Sequence, residues 1–138
     1  MSRVRLRIDF DGGRALGPGK VRLLELVAET GSISAAGRAM AMSYRRAWVL
    51  VSALNATFRQ PVVETRGGGA GGGGASLTAF GADLVRRFRA MEATAHAAVA
   101  QDLAALEAAL APGGEAAGAR GGKQGRAPPG PAKGRGAP

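Results

Sequence analysis

Apolar residues recur along the chain with two periods, and each period predicts a different secondary structure. From Arg3 to Phe10 apolar and charged residues alternate, which is typical of a strand with one face in water. Asp11-Gly12-Gly13 predicts the turn that ends this strand. From Gly19 to Glu29 apolar residues return every three or four positions, and this spacing predicts a helix that Gly31 terminates.

The next part of the chain predicts two helices separated by a short turn. Ser32 is a candidate N-cap of a helix that extends to Met40, and Ser43 is a candidate N-cap of a second helix that reaches about Phe58. One face of the second helix is apolar, whereas Arg45 and Arg46 open the opposite face. A short helix, a turn and a capped helix with basic residues in its first turn form a helix-turn-helix pattern.

A small pair of strands is predicted directly after the helix-turn-helix. Val62–Arg66 is a candidate strand, Gly67–Gly74 is the loop GGGAGGGG, and Ala75–Leu77 is a candidate return strand. Two strands joined by a glycine loop at this position would form a wing. The chain is therefore predicted to be mainly α with a small β wing, in a winged helix-turn-helix fold.

A long C-terminal dimerisation helix completes this prediction. Thr78 is its candidate N-cap, and no helix breaker follows before Pro112. Gly81 is the only helix-weakening residue in this stretch. Such a helix has about 32 residues and spans about 48 Å, which is longer than a head of this size covers. Its apolar stripe is therefore predicted to pair two copies of the chain through Leu84, Phe88, Met91, Val99, Leu103 and Leu106.

Composition sets the predicted boundaries of the chain's parts. Residues 111–138 contain glycines and prolines but no Leu, Ile, Val or aromatic residue, so they bury too little apolar surface to offset their chain entropy and are predicted to be disordered. The three predicted parts are a DNA-binding head over residues 1–77, the dimerisation helix over 78–110 and a basic tail over 111–138. The net charge of +9 indicates a polyanionic partner, most simply nucleic acid.

The residue inventory excludes several classes of protein. The chain has no cysteine and a single histidine, His96, which leaves no cysteine-based or multi-histidine metal site. The carboxylates are scattered, and the glycine run lacks the Gly-Lys-Ser/Thr ending of a nucleotide loop. No catalytic residues, metal or cofactor are therefore expected, and the chain is not expected to be an enzyme. Without a membrane span or a signal peptide it is expected to be cytoplasmic.

Several runs of residues resemble a known family. Gly31–Ala36, Met42–Trp48, Glu64–Arg66, the glycine loop and Leu77–Thr78 resemble the N-terminal winged-helix domain of the ModE family of molybdate-responsive bacterial regulators. The helix-turn-helix alone is also similar to that of LysR-type regulators. This resemblance implies a homodimer that regulates transcription of genes for molybdate transport or molybdenum metabolism.

The chain departs from the family at two points. Ala41 stands where the turn between the two helices usually has a glycine. Full-length relatives continue into oxyanion-binding domains, whereas residues 111–138 have the composition of a tail. Molybdate is therefore not expected to bind this chain, and regulation together with a separate sensor protein is a variant of the same hypothesis.

The candidate DNA-binding residues lie on the two helices and on the wing. Arginine suits a two-pronged contact with guanine, hydroxyls at the start of a helix suit phosphate, and glycine allows the wing backbone to approach DNA closely. The candidates are Ser32, Ser34, Ser43, Tyr44, Arg45, Arg46, Arg66, Gly68 and Gly72.

Simpler interpretations stay open for several of these residues. Tyr44 can equally well pack on the head, the serines can be helix caps only, and the arginines of the second helix can form a solvated face. Trp48 is expected in the core rather than against DNA. A solvated strand face is the simplest interpretation of Arg3, Arg5 and Arg7.

Two functions follow from these observations. In the first, the chain is a sequence-specific transcriptional regulator that binds double-stranded DNA as a homodimer at a pseudo-palindromic operator. In the second, it is a non-specific nucleoid-type protein that binds DNA or other polyanions mainly through its basic tail.

Overall fold

A computed structural model describes residues 2–67 and 73–113 of the chain. The chain divides into two compact units, of which one comprises Arg3–Val99 and the other starts at Ala100. The predicted tail over residues 111–138 lies almost entirely outside the described residues. Its disorder and the predicted boundaries of the three parts therefore stay predictions.

Helices make up most of the described residues, and two small antiparallel sheets accompany them. This confirms the mainly α class with a small β wing. The first unit contains β1 (Ile8–Asp9), a 3-10 turn (Asp11–Gly13), β2 (Ala15–Leu16), α1 (Pro18–Thr30), α2 (Ile33–Ala39), α3 (Tyr44–Thr57), β3 (Val63–Thr65), β4 (Ala75–Leu77) and α4 (Ala79–Ala98), and the second contains α5 (Ala100–Ala108).

The predicted capping residues set the helix boundaries. The side chains of Ser32 and Ser43 accept hydrogen bonds from the backbone N–H three residues later, at 3.0 and 3.1 Å, and so begin α2 and α3. Gly31 ends α1 with a φ of 75°. A residue without a Cβ adopts this left-handed conformation at the lowest cost, which is why glycine is favoured there.

The N-terminal strand is shorter than the alternating pattern predicts. Only Ile8 and Asp9 form β1, and they pair with Ala15–Leu16, a strand that the sequence did not predict. The alternation itself is confirmed, since the apolar residues from Val4 to Phe10 are half-buried and the charged residues between them are exposed. Because β2 has two residues, the ladder ends after two pairs.

One hydrophobic core joins α1, α2, α3, the β3–β4 hairpin and the first half of α4. Helix α1 contributes five buried residues, and α3 contributes Ala47, Val51 and Leu54. Full burial of one Leu, Val or Phe side chain stabilises a fold by about 1.5–3 kcal/mol. This core holds α2 and α3 in the arrangement that the helix-turn-helix pattern predicts.

Two of the predicted dimerisation residues belong to this core. Leu84 is 6% exposed and Phe88 is 1% exposed, because the first turns of α4 pack directly against the head. Their side chains are buried within the chain itself, which differs from the interface role that the sequence suggested. The N-terminal part of the apolar stripe of α4 thus packs in the core of the head, and only its later residues are exposed.

The hairpin is locked between α3 and α4 by polar contacts. The Asn55 side chain accepts hydrogen bonds from the N–H groups of Val62 and Val63 and donates to the carbonyl of Val63. At the other end, the Thr78 hydroxyl donates to the Pro61 carbonyl at 2.7 Å and caps α4. Gly81 lies so close to the Val62 carbonyl that a Cβ at this position would overlap it. The close packing of α4 on the hairpin therefore requires glycine at position 81.

The single long helix predicted from Thr78 to Leu110 is interrupted in the structure. Helix α4 ends at Ala98, its C-cap residue Val99 has φ and ψ of −106° and 8°, and α5 begins at Ala100. Valine is a weaker helix former than the alanines around it because its β-branch restricts the side chain against the preceding turn. Residues 96–102 are exposed, so no buried contact favours a continuous helix there.

Candidate nucleic-acid interface

The first turn of α3 projects from the head. Residues Ala47, Val51 and Leu54 pack one side of this helix into the core. Arg45 and Arg46 are exposed, and Tyr44 is 58% exposed. A helix that is anchored on one side and presents basic side chains at its exposed N-terminal end has the arrangement of a recognition helix in a helix-turn-helix protein.

The cap at Ser43 supports this arrangement. Its hydroxyl oxygen accepts the Arg46 N–H at 3.1 Å, which satisfies one of the backbone donors that the start of a helix leaves free. The other free N–H groups and the partial positive charge of the helix start remain directed outward. The first turn of α3 therefore combines backbone donors with two guanidinium groups.

Helix α2 places two hydroxyl groups beside the start of α3. Ser32 caps α2, and the Ser34 hydroxyl accepts a hydrogen bond from the Arg38 guanidinium at 3.1 Å. In the structure Ser32 is thus a helix cap, which was one of its two predicted roles beside contact with phosphate. Arg38, which the sequence analysis did not identify, adds a cation to this side of the head.

The wing supplies Arg66 from its base. The Arg66 N–H donates to the Gly74 carbonyl at 2.9 Å and extends the pairing of β3 and β4 beyond Thr65. Its guanidinium occupies the space that a side chain at position 74 would fill, so glycine there leaves room for the arginine. The other wing candidates, Gly68 and Gly72, lie outside the described residues.

A shallow cleft of about 430 Å³ brings four of the predicted residues together, namely Ser32, Ser34, Tyr44 and Arg66, whereas Ser43, Arg45 and Arg46 do not line it. It lies between the starts of α2 and α3 and the base of the wing. Among the residues that the structure describes, its lining contains hydroxyls, one guanidinium, aromatic rings and glycine backbone but no carboxylate. The residues that matter here are Ser32, Ser34, Tyr44, Trp48 and Arg66. A cleft with this lining is chemically suited to an anion.

The two aromatic residues of this cleft contact each other. The ring of Tyr44 meets the ring of Trp48 edge to face, with 6.1 Å between the centroids. Trp48 is half-buried and packs on the core as predicted, and its indole N–H is buried without a hydrogen-bond partner in the described structure. Tyr44 thus packs on the head while most of its surface stays exposed. This leaves open both interpretations of Tyr44, a packing residue and a DNA-contacting residue.

Arg38 and Val49, which were not among the predicted residues, are also exposed on the helix-turn-helix. Val49 is 59% exposed. The signal that could have identified both residues is helical spacing, since Arg38 follows Ser34 by four positions and Val49 follows Arg45 by four positions. The DNA-binding residues predicted on α2 and α3 all lie at the helix starts, whereas these two residues lie beyond the first turn of their helices.

Other arginines are engaged in ion pairs away from this face. Arg89 of α4 donates two hydrogen bonds to Glu25 of α1 at 2.9 and 3.0 Å and one to Glu92 at 2.7 Å. The Arg89 guanidinium lowers the pKa of the Glu25 carboxyl below its ordinary value. On the N-terminal strand, Arg7 pairs with Asp9 at 2.8 Å, which fits a solvated strand face.

Within residues 2–67 and 73–113, no three His, Asp or Glu side chains are grouped as metal ligands would be. Over the same ranges, no helix has the length and apolar character needed to cross a membrane.

Comparison with known proteins agrees with this geometry. Residues 19–82 match the family model for the bacterial regulatory helix-turn-helix protein, lysR family. Among solved structures, the crystal structure of the CbnR_DBD–DNA complex superposes with a TM-score of 0.51 at 24% identity, covering 64% of this chain and 95% of that chain. This likeness supports the winged-helix fold.

Three curated relatives are similar in sequence. Molybdenum transport protein ModE of Azotobacter vinelandii is 38% identical over 88 residues, which are 64% of this chain and 33% of the relative. Molybdenum-pterin-binding protein MopB of Rhodobacter capsulatus is 42% identical over 71% of this chain and 35% of its own length. Transcriptional regulator ModE of Haemophilus influenzae is 31% identical over 67% of this chain and 36% of its own length.

The chain thus spans about one third of the length of these curated relatives. The matched residues include the helix-turn-helix and the wing, which are the elements that form the cleft. The head is therefore a winged helix-turn-helix domain, similar to the bacterial regulatory helix-turn-helix proteins of the lysR family and, in sequence, to ModE.

Proposed function

We propose that this chain is a sequence-specific transcriptional regulator that binds double-stranded DNA as a homodimer. The observation that carries the proposal is the first turn of α3, where Arg45 and Arg46 are exposed while the rest of the helix is anchored in the core. An arginine at this position contacts guanine O6 and N7 with two hydrogen bonds, worth about 1–3 kcal/mol of discrimination against another base.

Phosphate contacts fix the position of the head on DNA. The hydroxyls of Ser32 and Ser34 and the guanidinium of Arg66 line one cleft beside α3. In this proposal a backbone phosphate of DNA occupies that cleft while α3 enters the adjacent major groove. Arg38, which is hydrogen-bonded to Ser34, adds to the same contact. These groups contribute affinity and orientation but no base preference.

Dimerisation proceeds through the exposed part of the apolar stripe. Met91 is 45% exposed, and with Leu6 and Ala95 it lines a shallow groove of about 420 Å³ with very little polar surface. A second copy of the chain related by a two-fold axis covers this groove. Of the other predicted residues, Val99 and Leu106 are also exposed, and Leu103 lies with Leu106 on α5. Their interface role stays a prediction.

The target genes are proposed from the names of the relatives. Those names connect similar proteins to molybdenum transport and to transcriptional regulation. We therefore propose that this chain acts in the cytoplasm on genes for molybdate transport or molybdenum metabolism. Within the proposal the chain does not itself bind molybdate, needs no cofactor and has no catalytic role.

Selection of bound DNA from a random pool tests the proposal. The wild-type chain is expected to select a pseudo-palindromic sequence whose half-sites are separated by one or more helical turns. The double variant Arg45→Ala, Arg46→Ala should keep its fold, since both side chains are exposed, and should select no consensus. The selection is run with and without molybdate, and the same sequence is expected in both.

Two controls accompany the selection. Arg86→Ala with Arg87→Ala removes two exposed arginines that pair with Asp83 on α4, and this variant should select the wild-type sequence. Deletion of residues 111–138 should weaken binding and its salt dependence but keep the selected sequence. Loss of most binding on this deletion, with no consensus for the full chain, would support the non-specific polyanion-binding alternative and contradict the proposal.

A further inference from the structure

The side chain of Val49 is exposed on the outer face of α3 without an evident structural reason. It is 59% exposed, although valine gains from burial and is a weaker helix former than alanine. Alanine is found at other exposed positions of the same helix, such as Ala53 and Ala56. A side chain that contributes little to the fold at this position can contribute to a contact outside the chain.

The position of Val49 on the helix directs it away from the head. Val51 and Leu54 define the buried face, and at 3.6 residues per turn Val49 lies almost opposite them. Val49 follows Arg45 by four positions and Arg46 by three, so it is a neighbour of both arginines on the helix surface. DNA that contacts these arginines with α3 in the major groove therefore lies next to Val49.

The chemistry of the major groove then defines what Val49 contacts. The thymine 5-methyl group is the apolar feature that bases present there. A β-branched side chain in a helix holds one preferred rotamer, so its methyl groups are fixed in place before binding. The separation of four positions between Arg45 and Val49 corresponds to about 6 Å along the helix, which is about two base-pair steps of 3.4 Å.

We propose that Val49 is a specificity-determining residue that recognises the 5-methyl group of a thymine. The thymine lies within about two base pairs of the guanine contacted by Arg45 or Arg46. This inference rests on the proposed function, since it requires α3 to enter the major groove. It adds a base preference at a position that no charged residue of the helix reads.

Replacement of individual thymines by deoxyuridine tests the inference, because it removes only the methyl group and keeps base pairing. Dissociation constants are measured by fluorescence anisotropy on the selected operator. For the wild-type chain, one thymine in each half-site should show a loss of about fourfold, the factor that corresponds to one buried methyl-sized group. For Val49→Ala, the same replacement should cause no loss.

Two measurements keep this test independent of folding and of the proposed function. Val49→Ala should unfold at the same or a slightly higher temperature than the wild type, since the exposed position favours alanine. Replacement of the contacted guanine by 7-deazaguanine should weaken both proteins equally. An equal methyl effect in both proteins, or none in the wild type, would overturn the assignment of Val49. Failure to select any DNA sequence would overturn the proposed function itself.

Discussion

Single residues of this head show local conflicts that tertiary packing resolves. Ala41, in the turn between α2 and α3, has a φ of 58°, a left-handed conformation that costs a residue with a Cβ about 1–2 kcal/mol. The turn holds it there, because its N–H donates to the Arg38 carbonyl and the neighbouring Met42 N–H donates to the Gly37 carbonyl, both at 3.0 Å. The conformation is thus imposed by the two helices.

Ala41→Gly should therefore stabilise the protein. We expect an increase of about 0.5–1 kcal/mol in the free energy of unfolding, because the relief of backbone strain exceeds the added entropy of glycine in the unfolded chain. Urea unfolding followed by circular dichroism measures it. The matched control Ala53→Gly, on the exposed side of α3, should lose about 0.5–1 kcal/mol. Equal losses in both variants would contradict the strain at Ala41.

Pairs of elements are connected by polar contacts as well as by the core. Helices α1 and α4 are linked by Arg89, whose guanidinium binds Glu25 with two hydrogen bonds and Glu92 with one. Two parallel bonds between a guanidinium and a carboxylate are stronger than a single contact and fix the relative orientation of both groups. This contact therefore sets the position of α4 on the head.

The pKa of Glu25 predicts how acid affects this link. The Arg89 hydrogen bonds hold it below its ordinary value of 4.5, so the unfolded chain binds a proton more readily than the folded chain. The stability that the pair contributes is present above pH 4.5 and is lost as the pH falls through the lower folded-state pKa.

Glu25→Gln tests this dependence. At pH 7 the free energy of unfolding should fall by about 1 kcal/mol, and its decrease on acidification should be shallower than in the wild type, as measured by urea unfolding at a series of pH values. Glu29→Gln, on the same helix, removes a single exposed pair with Arg22 at 3.4 Å and should change stability by less than about 0.5 kcal/mol. An unchanged slope for Glu25→Gln would refute the link.

At the scale of the whole molecule, the proposed two-fold assembly would determine how the head binds DNA. A single recognition helix reads only a few base pairs, whereas two heads at a fixed separation read two half-sites. The exposed apolar groove around Leu6 and Met91 is the surface proposed for this assembly. Burial of its apolar side chains by a second copy would lower the free energy of the assembly.

Met91→Glu should dissociate the dimer. A carboxylate in the groove would lie near its own symmetry copy and near apolar side chains, where it is both repelled and desolvated. Sedimentation equilibrium is expected to show a dimer for the wild type and a dissociation constant at least tenfold higher for this variant. Met91→Leu keeps an apolar side chain of similar volume and should stay dimeric. A wild-type monomer, or an unaffected variant, would contradict the proposed interface.

The sequence by itself determined the helix starts of the head and the two strands of the wing, but not β2 or the short extent of β1. Serine and threonine caps, the glycine after α1 and the 3–4 spacing of apolar residues are local features, and the helix starts that they predict agree with the structure at Ser32, Ser43 and Thr78. The basic first turn of α3 was predicted from local features as well, because the capping serine and the two arginines after it are adjacent in sequence.

Only the tertiary structure decided which surfaces remain for partners. Periodicity marks an apolar stripe but does not say what covers it, so the burial of Phe88 and the exposure of Met91 on the same helix required the packed head. Likewise, the cleft between α2, α3 and the wing exists because Asn55 and Gly81 hold the hairpin against the helices. Contacts between residues distant in sequence depend on the fold as a whole, and no local pattern records them.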